Sequence, residues 1–160
     1  MAEIHLGIFF DGTNNSRFYD EEHPDADSGE TNVSKMYDLY GPGAAPDVIT
    51  DKIYISGTGT DLGWETSTQR ILEGSADTLS ITHISTTAEM TAITDPDYDA
   101  IDGGTGNSVQ DRIDVALAFV EAYAKANPDA DIVLDPTGFS RGGVTGMAFV
   151  NLTFPPRIGP

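Results

Sequence analysis

The chain has 160 residues, the size of one ordinary domain, and its 26 acidic against 8 basic residues give a formal net charge of −18. That charge repels nucleic-acid phosphates and, at long range, anionic lipid head groups, so a membrane substrate would have to be engaged through apolar or pocket contacts. No cysteine is present, which excludes disulfides, thiolate zinc sites and cysteine nucleophiles.

The N-terminal stretch MAEIHLGIFFDG carries an acid where a secretory leader has bases, and its apolar run stops at Asp11. The expectation is therefore no cleaved signal, and no apolar run is long enough for a bilayer span. Ile4 to Phe10 reads as a buried strand closed by Asp11-Gly12. Residues 13–31, polar and rich in turn formers, read as an exposed loop. NVSKMYDLY at 32–40 places Val33, Met36, Tyr37 and Tyr40 at helical spacing. After the breaker GPGAAP, Asp51 to Ser56 reads as a second strand, ended by Gly57-Thr58-Gly59-Thr60.

Residues 61–106 are less legible. Trp64, Ile71 and Leu72 suggest a short apolar segment, and the Ser/Thr-rich 78–94 stretch suits either a strand or a partly helical lid. Asp95, Asp97, Asp99 and Asp102 look like a calcium loop at first. However, Ala100 stands where an EF-hand needs glycine and Gly106 where it needs glutamate, so a solvated acidic turn is the better reading. Gly103-Gly104-Thr105-Gly106 lacks the lysine of a phosphate-binding loop. His5, His23 and His83 are isolated and without metal-ligand spacing, so neither a metal nor a cofactor is expected.

Residues 107–127 form the clearest helix, with Ser108 and Asp111 as a capping pair and Val109, Ile113, Ala116, Leu117, Val120 and Tyr123 on one face. Asn127-Pro128 stops it. Asp131 to Thr137 reads as a strand, with Pro136 a blemish in it, because proline removes a ladder donor. Val144 to Leu152 reads as a final helix. Strands alternating with helices predict an α/β fold with a mostly parallel sheet.

Between the last strand and the last helix stands Gly138-Phe139-Ser140-Arg141-Gly142, which fits G-x-S-x-G. A serine on a sharp strand-to-helix turn needs small neighbours, and Gly138 and Gly142 supply them. Ser140 is then the candidate nucleophile, and the backbone N–H of Arg141 the first candidate oxyanion donor. The alternative is a glycine-rich turn whose serine has no chemical importance. Likewise, Asp11-Gly12-Thr13 at the end of the first strand offers a second oxyanion N–H from Gly12 or Thr13, or is simply a turn. After Ser140 the chain contains no His, Asp or Glu.

GIFFDGTNN, TNVSKMYDLY, YISGTGT, GTGNSVQDRIDVALAFVEAY and IVLDPTGFSRGG, in that order, resemble the Tle-type catalytic domain of bacterial type VI secretion phospholipase effectors. The likeness covers residues 4–152, so the expected organisation is the N-terminal part of an α/β-hydrolase-like catalytic domain over 1–152 and an irregular tail over 153–160. The resemblance implies that Ser140 is the nucleophile of a lipase or phospholipase acting through an acyl-enzyme, with Arg141 next to it in the chain and Gly12 and Thr13 in the loop beside it. It further implies a phospholipid or other ester substrate, a secretion apparatus and an immunity protein as partners, and residence in the cytoplasm until delivery. The sequence departs from the family in lacking the later Asp and His, and in Gly143 where alanine is usual; Gly146 also weakens the helix behind the serine. The competing expectation is a non-catalytic, truncated paralogue or interaction module. On either reading the chain is expected to self-associate through an incompletely covered sheet.

Overall fold

The computed structural model describes residues 3–17, 31–41, 48–60, 63–66 and 109–154. Strands β1 (Glu3–Phe10), β2 (Val48–Ile55), β3 (Trp64–Thr66) and β4 (Asp131–Gly138) form a four-stranded sheet in the order β3-β2-β1-β4. β1 is parallel to both β2 and β4, and β3 is antiparallel to β2. Three helices accompany the sheet among the described residues: α1 (Asn32–Leu39), α2 (Val109–Ala126) and α3 (Arg141–Thr153). The fold is thus mixed α/β with a mostly parallel sheet, as the alternation of strand and helix patterns predicts.

The central strands β1 and β2 are covered on both faces, which is why the sequence of β1 is almost continuously apolar. Its alternate residues Ile4, Leu6, Ile8 and Phe10 pack with Ile53 and Ile55 of β2 against Ile113, Val115, Ala116, Phe119 and Tyr123 of α2 and Phe149 of α3. On the opposite face Phe9 and Tyr54 pack with Val33 and Tyr37 of α1. Phe9, Tyr37 and Tyr54 meet edge-on, with ring centroids 5.8–5.9 Å apart.

Helix α1 is held at both ends. The Thr31 hydroxyl accepts from the Ser34 N–H at 3.0 Å, an N-cap. At the other end the buried Lys52 ammonium donates to the carbonyls of Tyr37 (2.5 Å) and Tyr40 (2.6 Å), placing a cation where the helix dipole is negative.

Several element details differ from the sequence expectation. β2 begins three residues earlier than expected, at Val48. In α1, Met36 points to solvent and Ser34 is buried in its place. The core face of α2 is rotated, burying Arg112, Val115, Phe119 and Ala122, while Leu117 and Val120 are only partly covered. β4 runs through Pro136, which pairs with Ile8. Among the described residues β4 is an edge strand, the position at which a sheet tolerates proline. The expected Ser108 cap, the 78–94 stretch, Asp95, Asp97, Asp99, Asp102, the 103–106 turn, His23, His83 and the tail beyond Phe154 lie outside the described residues.

Candidate active site

Parallel strands β1 and β4 run side by side and in register, Glu3 beside Asp131 and Phe10 beside Gly138. Their carboxyl ends therefore finish together, and the segments that leave the two strands are forced into proximity. After β1 comes Asp11-Gly12-Thr13; after β4 comes Phe139-Ser140-Arg141.

Ser140 sits on the turn between β4 and α3, exposed, with φ 55° and ψ −124°. A positive φ is strained for a residue with a Cβ, by roughly 1–3 kcal/mol, and persists only where the surroundings impose it. Two glycines impose it. A Cβ on Gly138 would lie 2.4 Å from the Gly142 carbonyl oxygen, and one on Gly142 would lie 2.3 Å from that of Phe10 and 2.4 Å from that of Asp11. The first turn of α3 is thereby pressed against the end of β1. Ser140 precedes the helix at the N-cap position, yet its hydroxyl makes no capping bond. A serine there ordinarily accepts from the first turn; here only its carbonyl is engaged, accepting from Gly143 and Val144 N–H. The hydroxyl stands at the positive end of the helix dipole, where negative charge is stabilised.

The Asp11-Gly12-Thr13 segment lies against this turn. A Cβ on Gly12 would be 3.2 Å from the Phe139 ring and 3.5 Å from its carbonyl oxygen. Asp11 itself is buried and fully used. One carboxylate oxygen accepts the Gly12 N–H (2.8 Å), and the other accepts the hydroxyls of Tyr54 (2.6 Å) and Thr31 (2.8 Å). Of the two expected oxyanion donors on this loop, the Gly12 N–H is therefore committed to Asp11. The Thr13 N–H has no acceptor among the described residues, so of the pair it is the one left available to donate. Burial, and then the bond to Asp11, raise the Tyr54 hydroxyl above its ordinary pKa, which keeps it a donor to the carboxylate.

A second loop supports the first. Residues 56–60, the GTGT segment after β2, receive three bonds from the buried Arg112 side chain: Nε to the Ser56 carbonyl (2.7 Å) and Nη2 to those of Gly57 (2.6 Å) and Thr60 (2.8 Å). Thr31, Tyr54 and Arg112 each fall within a stretch quoted for the family resemblance, TNVSKMYDLY, YISGTGT and GTGNSVQDRIDVALAFVEAY, but the sequence assigns none of them a role at the site.

His5 is remote from the serine. It pairs with Val133, five strand residues or roughly 16 Å before the Phe10–Gly138 pair, and its ring contacts Glu3 and Asp135. Among the described residues no three His, Asp or Glu side chains gather in a metal-binding group, and no helix is long and apolar enough to cross a membrane. Comparison with protein-family models, curated proteins and solved structures finds no match.

Proposed function

We propose that this chain carries the nucleophile-bearing part of a serine ester hydrolase with an α/β-hydrolase-like site, incomplete at its C-terminal side. The observation that carries the reading is the backbone of Ser140: an exposed serine held at positive φ, uncapped, between a parallel strand and the next helix. In such a reaction the Ser140 oxygen adds to the ester carbonyl carbon as its proton passes to a base. The carbonyl electrons move onto the carbonyl oxygen, which the Thr13 and Arg141 N–H groups would hold. Collapse expels the alcohol and leaves an acyl-serine for water to cleave. The Ser140 hydroxyl has no His, Asp or Glu hydrogen-bond partner among the described residues, so the base and acid would come from residues outside them, whether of this chain, a further segment or another chain. The order of FFDGTNN, YISGTGT and GFSRGG supports a phospholipid-directed secretion effector as the parent, with a secretion apparatus and an immunity protein as its partners.

A second reading, a non-catalytic interaction module, is favoured by the apolar flank of α3, where Val144, Met147, Leu152 and Phe154 are exposed. One experiment separates the two. The chain and its Ser140→Ala variant are treated with a fluorophosphonate, with and without added imidazole as an external base, and the labelled peptide is mapped. The ester-hydrolase reading expects labelling at Ser140 that imidazole accelerates, with nitrophenyl-ester turnover at background. Absence of labelling under both conditions supports the interaction module. Robust turnover without imidazole, abolished by Ser140→Ala, would show that the chain already contains its base.

A further inference from the structure

We infer that Arg112 is a positioning residue that aims the Thr13 N–H, acting through two loops; the inference rests on the ester-hydrolase reading of Ser140. Arg112 projects from α2 to the loop after β2 and draws three carbonyls of residues 56–60 around one guanidinium. The planar five-donor fork of arginine suits this, whereas a lysine ammonium is a point donor. The Thr60 hydroxyl tightens the same loop by donating to the Gly57 carbonyl at 2.7 Å.

The gathered loop then grips the segment after β1. The Asn14 N–H donates to the Thr58 carbonyl (2.8 Å), and the Gly57 N–H donates to the Asn15 carbonyl (2.9 Å). Asn14 is held at φ 60°, which turns the chain back so that the Asn15 N–H reaches the Gly12 carbonyl at 3.0 Å. That last bond fixes the peptide plane between Gly12 and Thr13. In a trans peptide the N–H points opposite to the C=O, so orienting the Gly12 carbonyl orients the Thr13 N–H as well. The two loops are in direct contact at this plane: a Cβ on Gly57 would come within van der Waals overlap of the Gly12 carbonyl oxygen, 1.7 Å away. The carbonyl thus faces the loop that Arg112 holds, and the Thr13 N–H faces away from it.

The test uses the full chain with Arg112→Lys and, as a milder change that leaves α2 intact, Thr60→Val. Amide hydrogen exchange is measured by NMR, and Ser140 phosphonylation is timed in the presence of imidazole. In folded Arg112→Lys, exchange at the Asn14 and Gly57 amides should rise at least tenfold while β1 amides stay within twofold. Phosphonylation should slow at least tenfold. Thr60→Val should shift both readouts in the same direction by a smaller factor, which decides the matter if Arg112→Lys fails to fold. Unchanged exchange at the two amides in a folded variant overturns the inference, and so does loosened exchange with an unchanged labelling rate. Absence of labelling in the unsubstituted chain would instead remove the ester-hydrolase reading, while the exchange data would still decide whether Arg112 holds the loop.

Discussion

The two flanks of the sheet are built differently. On the β1–β2 side, most polar groups are buried and paired: Asp11 by Gly12, Tyr54 and Thr31, Lys52 by helix carbonyls, Arg112 by loop carbonyls, while Thr58 Oγ1 and Arg17 Nη1 are buried without a hydrogen-bond partner among the described residues. On the β4–α3 side the surface is largely apolar and open, with Val133, Phe139, Val144, Met147, Leu152 and Phe154 exposed. An open groove there is lined by Pro136, Gly143, Gly146, Met147 and Val150. Ser140 stands on the seam between the two. Its turn is held by Gly138 and Gly142, the latter pressed on the end of β1, and its hydroxyl is presented where the β4–α3 side remains accessible. The difference teaches that the polar support of the Asp11–Thr13 loop comes from the β1–β2 side, while the β4–α3 turn supplies the serine and, through Gly138 and Gly142, its close approach to β1.

The largest expected effect is at the seam. Gly142→Ala would drive a Cβ to 2.3 Å from the Phe10 carbonyl oxygen, a backbone atom at the carboxyl end of the interior strand β1 that cannot yield cheaply. A loss of at least ~3 kcal/mol in urea unfolding is expected, or no folded protein at all. A midpoint within ~0.5 kcal/mol of the unsubstituted chain would mean that α3 is not pressed on β1 as described.

This contrast also marks how much is legible in the sequence. Strand β1, the β4–turn–α3 passage and the adjacency of FFDGT and GFSRG follow from local patterns: apolar runs, glycine placement and parallel register. Arg112 cannot be found that way. Charged side chains are rarely buried, and its partners lie 52 to 56 residues away in sequence. The rotated face of α2 has the same origin, because burying Arg112 turns Val115 and Phe119 inward and moves Leu117 and Val120 toward the margin. Met36 departs from its expected place because a short apolar pattern cannot show that Ser34 lies over the sheet.

The buried hydroxyls give the next effect, and they belong to the β1–β2 side. Burial, then the neighbouring Asp11 for Tyr54 and Asp51 for Tyr123, raises both phenols above their ordinary value near 10. For a raised folded-state pKa the stabilisation is complete below the unfolded value and is lost as pH climbs toward the folded one. Stability should therefore be level with respect to these groups up to about pH 9 and fall above ~10, by about 1.4 kcal/mol per tyrosine at one pH unit past its unfolded value. Urea titrations at pH 8, 10 and 11 measure it. If Tyr54→Phe and Tyr123→Phe retain the full alkaline loss, other groups are responsible.

Smaller, and opposite in sign, is the effect of alanine further along the same helix. A Cβ on Gly143 would meet the Gly138 carbonyl oxygen at 3.5 Å, and one on Gly146 the Phe10 ring at 3.5 Å, both ordinary contact distances. Nothing in the packing demands glycine there, and each costs the helix about 0.5–1 kcal/mol relative to alanine. Gly143→Ala and Gly146→Ala should each stabilise the chain by that amount in urea unfolding. Destabilisation by either would show that the groove beside α3 is tighter than its contacts indicate.

The smallest effect on folding is expected from the open flank itself, where the consequence is association. Met147 and Val144 are 69 % and 64 % exposed, so replacing both with lysine should alter monomer stability by no more than ~0.5 kcal/mol. Exposed apolar surface beside a strand edge that no described residue pairs favours association. The net charge of −18 opposes it, but α3 carries no acidic residue and contributes nothing to that repulsion locally. The chain is therefore expected to elute above its monomer mass in size-exclusion chromatography with light scattering, and Val144→Lys/Met147→Lys to shift it toward monomer. A monodisperse monomer for the unsubstituted chain would erase the distinction between the flanks as far as association is concerned. Self-association that persists in the double variant would place the contact elsewhere, leaving α3 free beside Ser140.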